Sequence, residues 1–467
     1  MYLKKEKCFL LFSMLGIALF SMILILFDFD KPECYNYLFL LPLSFIGLSL
    51  IFLNTYNLIP QNLGTTIIIG LSFIRTVIGP IIMSLGNYTS TISINLDKNI
   101  NYSILLVCYE LFAIFCTLSL LSIKYNENKR STKNIKYIAS LGKVYFMFII
   151  LSLMMAIIFC IITPGLKECF RTIFHIGDKT FSSIENSYII DKYSTNMVTK
   201  FSMVTGNYLI KVLVILIPSV LIIQLRKLKF NLFTKIISII ICLVPFFFVD
   251  GAIARSLIYV ITLFMLRSYV FVDKSNSNIS KNFILLLIIG SVFVIIYWTI
   301  RFNVSTSKGN VWEYMSVKIS SYFSSVNIVS GTFNLPRTIE YRWRYFVYDY
   351  IKTIPYGNTL FPTNHQSIQF FFNGYNCSSG QIIPTIGASY YYFGFLLAPI
   401  YSIVFTIVAY ISSIKMQFER DLLPKTRLIL TIFYFSMGIV MYNIEITMIS
   451  FFSIIIPLYL LEKLNAK

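Results

Sequence analysis

Apolar runs of about twenty residues recur along this chain, divided by polar intervals, and that is the length a bilayer requires of a crossing helix. They fall at about 8–27, 36–53, 64–85, 103–122, 143–162, 206–224, 234–249, 253–272, 283–300, 386–411, 428–442 and 444–461. Lipid offers backbone groups no partner outside the helix itself, so the pattern predicts an all-α polytopic membrane protein with about twelve transmembrane helices. Only Tyr442 and Asn443 part the last pair, and the turn around Asp250 is similarly tight. No internal repeat of the kind found in inverted-repeat carriers is visible. Residues 1–467 read as a single transmembrane domain.

Two polar intervals are long, 163–205 and 301–385. Merely joining two helices does not require the roughly eighty residues of the second. It reads as partly helical, for example over 311–329, with turns at Pro336, Pro355 to Gly357 and Asn373–Gly374, and it predicts a lid over a site.

Charge sets the orientation. Lys4, Lys5 and Lys7 precede the first run, and basic residues gather at 124–143, 226–235 and 415–427. The short alternate loops at 28–35 and 86–101 hold only Lys31 and Lys98. The positive-inside rule then puts both termini in the cytoplasm and both long loops outside. Overall 57% of residues are hydrophobic and 13% charged, with mean hydropathy +0.75 and a formal charge of +19. In a soluble protein that charge would suggest nucleic acid, but here cytoplasmic loops facing anionic lipid account for much of it, and no nucleic-acid partner is expected. Of the eight cysteines, Cys8, Cys108, Cys116, Cys160 and Cys242 lie inside apolar runs as small core residues. Cys34, Cys169 and Cys377 lie outside them, and spacing alone does not show whether any two pair.

Ionisable residues inside apolar runs need a reason, because each costs about 2.5–3.5 kcal/mol at a helix centre. Arg75 sits mid-run, Lys211 early in its run, and Asp250 and Arg255 flank a glycine turn, with Glu110 and Glu445 as the main acids. For Arg75 a structural ion pair, such as with Glu110, or snorkelling to an interface stands level with a functional role, while Arg255 beside its turn favours function. The long loop adds Arg337, Arg342 and Arg344 among Trp312, Tyr314, Tyr341, Trp343, Tyr345, Tyr348, Tyr350 and Tyr356. Guanidinium forks suit phosphate and pyrophosphate, and aromatic faces stack on sugars; lipid headgroups and an interfacial aromatic belt would draw the same residues. The chain has no P-loop, no Gly-x-Ser-x-Gly elbow and no His-Glu-x-x-His, so no site for ATP or a catalytic metal is predicted.

The stretch Gln381-Ile-Ile-Pro-Thr-Ile-Gly-Ala-Ser-Tyr-Tyr-Tyr-Phe-Gly-Phe395 combines a Pro-x-x-Gly step, an aromatic run and Phe-Gly after a long loop. With the Asp250-Gly-Ala-Ile-Ala-Arg255 turn, Arg75 ahead of Gly79–Pro80, and the layout of helices and loops, it resembles the Wzy-type O-antigen and capsule repeat-unit polymerases. Gln381 and Ala388 stand where some relatives carry acids, which leaves the general base open.

The resemblance implies a glycosyltransferase at the outer (periplasmic) face of a bacterial inner membrane. It would move a growing glycan from undecaprenyl pyrophosphate to the terminal sugar of an incoming lipid-linked repeat unit, with membrane lipid and a chain-length regulator as further partners and no cofactor. Because the leaving group is a pyrophosphate, arginines would stabilise its charge without a metal. Arg255 and Arg337 are the catalytic cations in this reading, and His365 is the base, since imidazole titrates near neutrality. Arg75, Arg342, Arg344, Tyr341, Trp343 and Tyr391 would bind pyrophosphate and substrate. Glu340, Asp349, His175 and Asp178 compete for the base. An O-antigen ligase acting on lipid A-core shares layout and donor; a lipid-linked oligosaccharide flippase is the alternative from another class, and the long loop argues against it.

Overall fold

The computed structural model describes residues 5–28, 30–59, 61–87, 96–127, 142–163, 166, 196–225, 232–247, 253–271, 311–357, 367–376 and 381–465. Every regular element among them is helical. Nine described helices are long and apolar enough to cross a membrane: Phe9–Phe27, Glu33–Ile51, Leu63–Leu85, Asn99–Lys124, Lys143–Ile162, Met197–Leu225, Ile400–Phe418, Leu422–Val440 and Ile444–Asn465. The chain is thus a polytopic helical membrane protein. The expected run at 283–300, most of the interval 163–205, the turn at Asp250, and His365, His175, Asp178, Cys169 and Cys377 lie outside the described residues.

Where described, the expected runs form helices, with three informative departures. The run at 386–411 is not one helix: Thr385–Phe393 ends at Gly394, whose φ of 88° only glycine adopts without strain, and the crossing helix starts afresh at Ile400. The run at 234–249 is the helix Leu232–Leu243 followed by a 3-10 turn, Val244–Phe247. The run at 64–85 carries a π turn, Ile74–Ile78, in its middle. Pro80 has no N–H to donate and its ring would crowd the preceding turn, and one wider turn ahead of it relieves both problems. The same device recurs at Phe451–Ile455, ahead of Pro457.

The chain divides into two compact units, Met1–Ser131 with Phe302–Ile414 and Ile432–Ile449, and Thr132–Arg301 with Lys415–Thr431 and Ser450–Lys467. In the first unit, the long polar interval is built onto membrane helices. Val326, Val329 and Ile386 share one apolar core with Ile25, Tyr35, Leu38, Met83, Ile100 and Ile104. Polar ties reinforce it: Asn327 Nδ2 donates to Tyr35 Oη at 2.6 Å, and Asn99 Nδ2 to Asn334 Oδ1 at 2.7 Å. Gly387 of the Pro-x-x-Gly step is a close-approach position, since a Cβ there would clash with Thr332 Cγ2.

Arg75 lies buried in the π turn, and of the readings open for it the pairing with Glu110 is present. Arg75 Nη1 donates to Glu110 Oε2 at 2.6 Å, with the two residues 6% and 1% exposed. Ser402 Oγ donates to the other carboxylate oxygen, and Arg75 Nε donates to the Ser324 carbonyl at 3.0 Å. Ser324 holds a left-handed φ of 47°, a conformation costly for a non-glycine residue that this charged bond helps to offset.

In the second unit, Lys143–Ile162 and Met197–Leu225 pack through Phe159, Leu166 and Met203. Arg427 Nε donates to Glu462 Oε1 at 2.7 Å, and the Lys425 ammonium sits 4.2 Å from the centre of the Tyr269 ring. Arg255 lies in the first turn of Ile253–Phe271, partly buried.

Removing one member of a buried ion pair leaves an uncompensated charge, whereas replacing both by apolar groups is close to neutral. Glu110→Ala is therefore expected to destabilise the protein by about 3–5 kcal/mol. The double variant Arg75→Met/Glu110→Leu should recover most of that loss. Thermal unfolding in detergent, read for both singles and the double, checks this; additive losses in the double would show that the pair is not the source.

Candidate functional site

The helix Ile339–Thr353 organises the candidate site. Thr338 caps it, accepting from the Tyr341 N–H at 3.3 Å, and Glu340 in its first turn complements the positive end of the dipole. Its inner face carries Arg342, Tyr345, Phe346, Asp349 and Thr353, at the three- and four-residue spacing of one helical side. Aromatic contacts seat it. Tyr345 stacks on Phe371 with centroids 5.0 Å apart, and Phe346 meets the edges of Tyr392 and Phe393 at 5.5 and 5.4 Å.

Arg337, just before this helix, is surrounded by the segment that carried the family resemblance. Its guanidinium lies 4.3 Å from the centroid of the Tyr390 ring, and its Nε donates to the Tyr391 carbonyl at 3.4 Å. A Cβ on Gly394 would stand 3.2 Å from Arg337 Nη2, so the Phe-Gly step leaves a bare backbone beside the cation. Tyr391 is buried, with its hydroxyl donating to the Pro336 carbonyl at 3.1 Å. Burial pushes that phenol up to about 12, and Tyr345 adds to the rise, while the charges of Arg337 and Arg342 oppose it. Both cations thus act on one buried phenol. Among the described residues no hydrogen bond engages the Arg337 Nη groups, and Arg342 Nε is buried without a partner.

A second polar group lies on the far part of the same helix. Asp349 is 5% exposed; Oδ1 accepts from the Ile368 N–H at 3.1 Å and Oδ2 from the Tyr392 hydroxyl. Burial raises its carboxyl to about 6, against the opposing effects of Tyr392, the Ile368 N–H and Lys352. Asp349 lines a small cleft with Tyr350, Ala388, Tyr392, Asn443 and Glu445. Gln369 fixes one wall: its Oε1 accepts from the Ile383 N–H at 2.8 Å and Asn443 Nδ2 at 3.1 Å, and its Nε2 donates to the Gln381 carbonyl.

The structure therefore brings together Arg337, Arg342, Tyr341 and Tyr391, and sets Arg344 beside Tyr345. It does not bring Arg75 to them: that side chain is engaged by Glu110 and Ser324, as one of the readings open from the sequence anticipated. Trp343 faces outward, 59% exposed. Arg255 belongs to the second unit and His365 lies outside the described residues, so neither is placed against this cluster. Sequence reasoning missed Tyr392, Gln369 and Asn443, and carried Asp349 only as a competitor. A carboxylate on the inner face of an amphipathic helix, in register with Tyr345 and Thr353, was the available signal. Compared with protein-family models, curated proteins and solved structures, the chain matches none.

Because Asp349 binds its proton more tightly folded than unfolded, its contribution to stability is full below about pH 4 and is lost as pH rises to about 6. Asp349→Asn keeps an acceptor for the Ile368 N–H and removes this titration. The apparent Tm of the wild type should fall across that interval while that of the variant stays flatter, and equal slopes in the two would show that Asp349 does not titrate there.

Proposed function

We propose that this protein is a membrane glycosyltransferase of the repeat-unit polymerase type, working on a polyprenyl-pyrophosphate-linked glycan. The observation that supports it most is Arg337 enclosed by the Tyr390–Tyr391–Gly394 segment, with its Nη hydrogens unengaged among the described residues and Arg342 acting on the same phenol. Arginine stays charged at any working pH and offers paired donors that fit the non-bridging oxygens of a pyrophosphate. Holding the cation by a ring face, a carbonyl and a bare glycine fixes it before the reaction, so little reorganisation accompanies the charge that develops.

In the proposed step an acceptor sugar hydroxyl attacks the anomeric carbon of the donor glycan. A new C–O bond forms, the bond to the pyrophosphate oxygen breaks, and undecaprenyl pyrophosphate departs with the electron pair. The hydroxyl proton passes to a base, for which Asp349 in the cleft and His365 are the candidates. Arg337 and Arg342 stabilise the leaving group, Arg344 and Tyr341 support binding, and Arg75 serves structure through Glu110. Arg255 has no assigned part in this step. A bacterial inner-membrane location with the long loop outside, and a chain-length regulator as partner, follow from the same reading.

The test is surface polysaccharide from a strain lacking this gene, complemented with wild type, Arg337→Lys or Arg337→Ala. Deletion should leave a single repeat unit on the lipid core with the ladder gone. Arg337→Ala should lower polymerisation by about 100-fold or more, the loss seen on removing a preorganised charge stabiliser. Arg337→Lys should recover only part of it, and folded protein is to be quantified in each strain. Full-length polymer accumulating on the lipid carrier would mean a ligase, an unchanged ladder would point to a carrier, and a normal ladder with Arg337→Ala would overturn the leaving-group assignment.

A further inference from the structure

The outward side of the helix Ile339–Thr353 is unlike a solvated face. Ile339, Trp343 and Val347 recur every fourth residue and are 68%, 59% and 49% exposed, and Ile354, 47% exposed, extends the same stripe. Buried Asp349 and Thr353 lie to one side of this stripe, Arg344 to the other, and Tyr341, Tyr348 and Lys352 are turned away from it. The one acid at its edge is the exposed Glu340, in the first turn. A short helix with a narrow apolar stripe, little net hydrophobicity and flanking cations has the make-up of one lying along a bilayer surface.

A second observation fixes the level of this helix. The Tyr350 hydroxyl bonds the hydroxyl of Tyr401, in the first turn of the crossing helix Ile400–Phe418. The helix is therefore held at the end of a membrane span, where headgroups begin. Phe395, Leu396 and Leu397, 47%, 78% and 46% exposed, precede the same span and add apolar surface.

We infer that Ile339–Thr353 lies in the membrane interface, with Ile339, Trp343 and Val347 in the acyl boundary and Arg344 at the phospholipid phosphates. The occupant of this face is the bilayer that the chain itself spans. Trp343 is then a depth anchor and leaves the set of sugar-binding residues. The inference does not depend on the reaction proposed above, although it would bring Arg337 and Arg342 to the level where any lipid-linked pyrophosphate must lie.

Depth-dependent quenching tests it. The chain has three tryptophans, Trp298, Trp312 and Trp343, so Trp298→Phe/Trp312→Phe isolates Trp343. The full chain is reconstituted in phosphatidylethanolamine–phosphatidylglycerol vesicles containing lipids brominated at a shallow or a deep acyl position. Trp343 emission should be quenched severalfold more by the shallow bromines than by the deep ones, and resist aqueous iodide. A companion variant carrying Trp343→Phe and Val347→Trp in the same background should behave alike, guarding against a local artefact of one probe. Quenching by iodide without quenching by bromolipid would put the helix in water. Resistance to both would mean that protein covers it, from this chain or a second copy. Either outcome overturns the inference, and neither bears on whether Arg337 serves catalysis.

Discussion

An arginine keeps its charge even in an apolar core, so burying one is costly unless something answers that charge, and the first unit is arranged around that requirement. Arg75 is answered by Glu110 on another crossing helix, Glu110 by Ser402 on a third, and the Arg75 Nε donor reaches the backbone of Ser324 in the long interval. Each partner comes from a different part of the chain, so the charge can be buried only when all are in place. The same interaction thus fixes helix packing and seats the start of the polar segment on the membrane core. The π turn belongs to this arrangement: the helix with Pro80 must widen ahead of the proline, and Arg75 lies in the widened turn.

From that anchor the site is built in steps. The segment 326–334 rests on the membrane helices through Val326, Val329 and Asn327, and Thr332 meets the bare face of Gly387. Thr385 Oγ1 then ties the Pro-x-x-Gly step to the Gly438 carbonyl at 2.5 Å, at the end of a crossing helix. These contacts seat the Tyr390–Gly394 segment beside Arg337, so the membrane core helps position the cation at one remove.

Period and length made the crossing helices legible, since a run of about twenty apolar residues has few other fates. The Arg75–Glu110 pair was one of the readings open for Arg75, because two opposite charges inside apolar runs cost less together than apart. The break at Gly394 was not legible, because hydropathy stays high across it while the backbone turns at a single positive φ. Nor was the Asp349–Tyr392 bond, whose partners are 43 residues apart and meet only through the aromatic seating of two short helices. What the sequence pattern could give was a carboxylate on the inner face of an amphipathic helix, without the group that would answer it.

Ala388 lines the cleft into which Asp349 and Glu445 bring carboxylates from two other elements. Acidity at a site is a property of the space and not of one chain position, and a small residue at 388 leaves room for side chains arriving from elsewhere. Asp349 is held by an N–H and a phenol, both of which favour its charged form, while burial opposes it more strongly. The balance leaves a carboxyl raised to about 6. Asp349 sits on the inner face of the helix that Arg337 precedes, and both meet the same aromatic run: Arg337 at Tyr390 and Tyr391, Asp349 at Tyr392.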